Sequence, residues 1–110
     1  MSGQAKKFLE QLFFEAVNAA DPDKIVKQYI PERPKGRTVV VGVGKAAGRL
    51  ASAFEKYFVG PLSGVVVTPY GYSKKCQKIE VMEASHPIPD KNGLNASRAI
   101  LSAVENLTAS

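Results

Sequence analysis

The stretch TVVVGVGKAAG at 38–48 sets Gly42, Gly44, Lys45 and Gly48 directly behind an apolar run. The chemistry this arrangement offers is anion binding. If Val41 ends a strand and Lys45 starts a helix, the N–H groups of residues 44 to 47 lack partners at the positive end of that helix. Phosphate or carboxylate is attracted to such a place. Gly42 would permit the turn, Gly44 would bring a ligand close to bare backbone, and Gly48 would let the helix pack on the sheet. Lys45 adds a full charge at the same mouth.

A second group lies in SHPIPDKNG at 85–93, where His86 stands beside two prolines and Asp90 precedes a helical pattern. His86 can contact a substrate or simply hydrogen-bond within its loop. Asp90 can be a ligand or the N-cap of the following helix. Cys76 lies near Lys74, Lys75 and Lys78, and with no second cysteine it reads as incidental.

Two nucleotide-binding motifs fail on spacing. A Walker A loop needs Gly-x4-Gly-Lys-Ser/Thr, but position 39 is Val and position 46 is Ala, so the magnesium-binding hydroxyl is missing. The dinucleotide fingerprint wants Gly-x-Gly-x-x-Gly, whereas Gly48 comes one residue too late. The second apolar run ends in Thr68-Pro69-Tyr70, with no acid for ribose hydroxyls. A solvated Lys45 beside a merely tight turn stays open as the plain alternative.

The elements that must position these residues follow from periodicity. Ala5, Phe8, Leu9, Leu12, Phe13, Ala16, Val17 and Ala20 recur at helical spacing, and Asp21-Pro22 opens a short second helix toward Tyr29. Runs of β-branched residues predict buried strands at 37–41 and 64–68, and a third strand is expected at 79–83. A helix is predicted from Lys45 to Phe58, and another after Asp90 through Leu107. The helical crossover between the first two strands argues a right-handed βαβ unit and a parallel sheet, in the order 3-2-1. The fold class is thus α/β, a Rossmann-like three-layer arrangement with a short parallel sheet and flanking helices.

A chain of 110 residues with 45% hydrophobic content is one globular domain at most. Its net charge of +5 is scattered, without aromatic interleaving or a recognition helix, so nucleic acid is not the expected partner. A mildly positive site for small anions uses that charge better. The lone cysteine fits a reducing compartment and no apolar run is long enough to cross a bilayer, so a cytoplasmic protein without membrane contact is expected.

Four segments in order, LFFEAVNAADPDKIV, VVVGVGKAAGRLASAFE, GVVVTPYGY and IEVMEASHPIPDKNGLNASRAIL, resemble the N-terminal part of the glycerate 2-kinase family. Members of that family also carry the label hydroxypyruvate reductase. The resemblance implies transfer of phosphate from ATP, with Mg2+, to the 2-hydroxyl of D-glycerate, in a cleft between two α/β domains. Residues 1–110 would then form the opening of the first domain, with the rest of it and the second domain absent. By the same likeness Gly42, Gly44 and Lys45 match the turn at the cleft, with Lys45 the catalytic residue. His86 and Asp90 match a His-Pro-x-Pro-Asp loop and join the turn as substrate-binding residues; no metal ligand is carried over. Ser85 departs from the glycine common before that histidine. This 110-residue chain alone is expected to be inactive, and either to hide its unpaired sheet edge by self-association or to be only marginally stable. Two other readings stay open: a non-catalytic anion- or nucleotide-binding module, and an NAD(P)H-dependent reductase.

Overall fold

Val65–Val67 form the buried centre of the molecule, because β-branched side chains pack well on a pleated surface. Val39–Val41 lie instead on an edge strand that, against expectation, buries none of its residues fully and leaves Val41 exposed. The computed structural model describes residues 3–108, so both ends of the expected 1–110 unit lie outside the described residues. The elements in chain order are α1 (Gly3–Ala19), α2 (Pro22–Gln28), β1 (Thr38–Val43), α3 (Ala47–Tyr57), β2 (Leu62–Pro69), β3 (Ile79–Ala84) and α4 (Lys91–Val104). The three strands form one parallel sheet with β2 in the middle, as the βαβ pattern predicts. β1 runs on through Gly42 to Val43, which pairs with Val67, two residues past the expected end.

Helices cover both faces of β2, while Val41 and Val43 of β1 stay exposed. Val66 packs with Ala47 and Ala51 of α3 and with Ile79, whereas Val67 packs with Ala84 and with Ala96 of α4. Since neighbouring strand residues point to opposite faces, α3 and α4 lie on opposite sides. The small alanines let each helix come close to the sheet. Burying a valine as fully as Val66, 2% exposed, stabilises by roughly 1.5–3 kcal/mol.

Parallel strands normally need a long crossover, yet only residues 70–78 link β2 to β3. α3 supplies the track for this loop. A side chain on Gly48 would come within 3.1 Å of Lys74 N and 3.3 Å of Tyr72 O, so the helix meets the loop backbone directly. Two turns on, Oε1 of Glu55 accepts hydrogen bonds from Gln77 N at 2.7 Å and Lys78 N at 2.8 Å. Gly48 therefore serves the loop, not the sheet as its position in the motif had implied. Burial pushes the Glu55 carboxyl up, but the N–H donors of Lys78, Gln77 and Ile79 outweigh it and hold the group below its usual value.

α1 stands apart from this core. None of its residues is buried, and its apolar face is exposed. The radius of gyration is 17.6 Å, against about 13 Å for a compact domain of this length. The difference fits an extended helix at one end.

Candidate functional site

β1 ends at Val43, and the chain turns at Gly44 with φ 132°, a conformation that a side chain would strain. The turn is held by Gly44 N donating to Val67 O at 2.9 Å and Ala47 N donating to Gly44 O at 3.2 Å. α3 begins at Ala47, not at Lys45. Its cap residue, Ala46, has no side chain that could bond the first turn. The expected set of open N–H groups at 44 to 47 is therefore narrower: 44 and 47 are used by the turn itself, and those of Lys45 and Ala46 make no hydrogen bond among the described residues.

Those two N–H groups, on a turn that also carries the exposed Lys45, offer donors and a positive charge to an anion. Gly42, Gly44 and Lys45 line a cavity of about 510 Å³ whose other walls are apolar, among them Val26, Leu50 and Phe54. A charged group at its mouth would meet donors, and the rest of a ligand would meet hydrocarbon.

The C-terminal ends of all three strands meet at a smaller cleft of about 80 Å³, lined by Gly44, Thr68, Ser85 and His86. The structure thus brings the glycine turn and His86 to one place, although 40 residues separate them in sequence. His86 is exposed, and the His86–Pro87 peptide is cis. Thr68, 2% exposed, keeps its Oγ1 without a hydrogen-bond partner beside this cleft.

Asp90 does not join them in lining either cavity. Its Oδ1 accepts from Gly93 N at 2.9 Å, capping α4, and from Ser85 N at 3.3 Å. Its Oδ2 accepts from the Tyr70 hydroxyl. That hydroxyl, followed by the Gly93 N–H, holds the Asp90 carboxyl below the usual range, and Tyr70 is pushed up by the same bond. Tyr70 was not legible as a site residue; its only sequence signal is its place directly after the second apolar run.

Cys76 touches the α3 side of the core, and burial, then Glu55, raises its thiol pKa. A less ionised thiol is a poorer nucleophile, in keeping with an incidental role. Among the described residues no group of three or more His, Cys, Asp or Glu is placed to hold a metal ion. No helix among them is long and apolar enough to cross a membrane.

Residues 8–110 match the family described as "Domain of unknown function (DUF4147)". The chain belongs to this family. Among curated relatives of this DUF4147 chain, "Putative hydroxypyruvate reductase" of Agrobacterium vitis is 44% identical over 104 residues, covering 94% of this chain and 24% of the relative. "D-glycerate 2-kinase" of Thermotoga maritima is 38% identical over 104 residues, covering 93% and 25%. "Glycerate 2-kinase" of Pyrococcus horikoshii is 38% identical, covering 84% and 23%. The chain therefore spans about a quarter of the length of these relatives. The crystal structure of the PH0495 protein from Pyrococcus horikoshii OT3 superposes with a TM-score of 0.78 at 31% identity, covering 97% of this chain and 27% of that one. The likeness to glycerate 2-kinases read from four sequence segments holds over nearly the whole chain.

Proposed function

We propose that this segment carries part of the active site of a D-glycerate 2-kinase, which transfers the terminal phosphate of ATP to the 2-hydroxyl of D-glycerate. The observation that carries this reading is the exposed Lys45 beside its own unpaired N–H and that of Ala46, at a strand end that also carries Gly44 and His86. The 38% identity to proteins named glycerate 2-kinase supports it.

In such a reaction the 2-hydroxyl oxygen bonds to the γ-phosphorus, the bond from that phosphorus to the ADP oxygen breaks, and the hydroxyl proton passes to water. Catalysis is then mostly positioning and charge neutralisation. Lys45 and the two N–H groups would neutralise an anionic group of the substrate or of the phosphate in flight. The apolar cavity would keep water from that group. The described residues offer no cluster of ligands for Mg2+.

A reductase needs a nicotinamide cofactor, and β2 ends in Thr68-Pro69 followed by Tyr70, with no carboxylate for ribose hydroxyls. No observation at this site favours hydride transfer. The test is a coupled assay of ADP release on the full-length protein with D-glycerate, ATP and Mg2+. Turnover that depends on D-glycerate supports the kinase; its absence, with NAD(P)H oxidation by hydroxypyruvate, overturns it.

A further inference from the structure

Tyr70 and Asp90 sit on different loops at the same end of the sheet. The Tyr70 hydroxyl donates to Oδ2 of Asp90, and Nδ2 of Asn92 donates to that hydroxyl at 2.9 Å. Oδ1 of Asp90 is engaged separately, by Ser85 N and Gly93 N. One carboxylate thus closes the 85–90 loop on itself, caps α4 and ties this loop to the one after β2. A second tie runs parallel to it, from Gly71 N to Oε1 of Glu83 at 3.1 Å.

His86 lies inside the loop so closed. Its imidazole makes no hydrogen bond to any described residue, so its place at the small cleft depends on the loop that carries it. Capping α4 requires only Oδ1 of Asp90. The bond from Tyr70 to Oδ2 is additional, and what it fixes is the separation between the His86 loop and the residue that directly follows Thr68 and Pro69, the β2 residues that line that cleft.

We propose that Tyr70 and Asp90 are positioning residues, whose hydrogen bond clasps the loop after β2 to the His86 loop and sets the imidazole where the glycerate acceptor binds. This rests on the kinase reading given above. The hydrogen bond to an ionised carboxylate is of the stronger, charge-assisted kind. The lowered Asp90 carboxyl keeps that acceptor charged.

Tyr70→Phe separates clasp from cap, since it removes the hydroxyl and leaves both bonds to Oδ1. In the full-length protein this variant should raise KM for D-glycerate about tenfold, with KM for ATP unchanged. Asp90→Asn should do the same, and the double variant should be no worse than either single one, because both remove one interaction. A purely structural role would reduce the amount of active enzyme and leave KM alone; an unchanged KM for D-glycerate in Tyr70→Phe overturns the proposal. If the unmutated protein does not phosphorylate D-glycerate, the kinase reading fails separately. Thermal melting of the same three variants then reads the clasp: non-additive losses of Tm support it, and strictly additive losses overturn it.

Discussion

Val40 of β1 lies opposite Gly64 of β2, and an ideal Cβ on Gly64 would stand 2.0 Å from the Val40 carbonyl oxygen. No side chain can occupy that space while the two strands stay paired. The β1–β2 contact sets the height of the glycine turn, because Gly44 N bonds to Val67 O.

Gly64→Ala should therefore destabilise the fold by roughly 3 kcal/mol or more, among the larger effects of single substitutions. Thermal or urea denaturation measures it. Gly71→Ala is the control, since nothing stands within 4 Å of its missing side chain and only its positive φ opposes the change. Equal stability of the two variants would show that the close strand approach is absent.

Lys45 is exposed and holds no part of the core, so its removal should spare the fold. In the full-length protein Lys45→Ala should lower kcat by about 10²–10³-fold, the scale of losing one charge-stabilising donor. The melting temperature should stay unchanged. Lys45→Arg, which keeps the charge with a different shape, should recover part of the loss.

The Tyr70–Asp90 bond gives stability a defined pH window. Asp90 titrates below its ordinary value because of the Tyr70 hydroxyl first and the Gly93 N–H next. Its contribution is complete above the unfolded carboxyl value of about 3.9 and is lost as pH falls through the lower folded value. Tyr70 titrates above its ordinary value through the bond to Asp90. Its contribution is complete below about 10 and is lost as pH rises through the folded value. Tm against pH should show both limbs. Asp90→Asn should remove the acid limb and weaken the alkaline one, and Tyr70→Phe should remove the alkaline limb and weaken the acid one, leaving the part due to the Gly93 N–H.

Phe8, Leu9, Phe13, Phe14 and Val17 of α1 are each more than half exposed, a patch that water does not favour. The 110-residue chain on its own should associate through such surface, and light scattering should report a mass above 11.8 kDa. Phe13→Glu with Leu9→Lys should shift it toward the monomer without altering the sheet. A strictly monomeric unmutated chain at high concentration would contradict this.

The strands and their parallel pairing were legible because unbroken β-branched runs around a helical crossover leave few arrangements. The end of β1 was not. Gly42 looks like the start of a turn, yet it pairs with Val66 in the sheet, where Val66 Cγ1 would stand 3.4 Å from its Cβ. The start of α3 was misplaced by two residues because Ala46 offers no capping side chain to announce it. Asp90 was legible as a cap from its place before α4, but its tie to Tyr70 spans 20 residues between surface loops. No periodicity records such a bond. Glu55 escaped for the same reason, since its partners are backbone N–H groups of a distant loop.

The most direct test of the kinase reading is ³¹P NMR of the product formed by the full-length protein from D-glycerate, ATP and Mg2+. The expected spectrum shows a phosphate ester on the 2-oxygen growing as ADP appears, with both signals nearly abolished in Lys45→Ala. An ester on the 3-oxygen, no ester at all, or undiminished turnover by Lys45→Ala would contradict it.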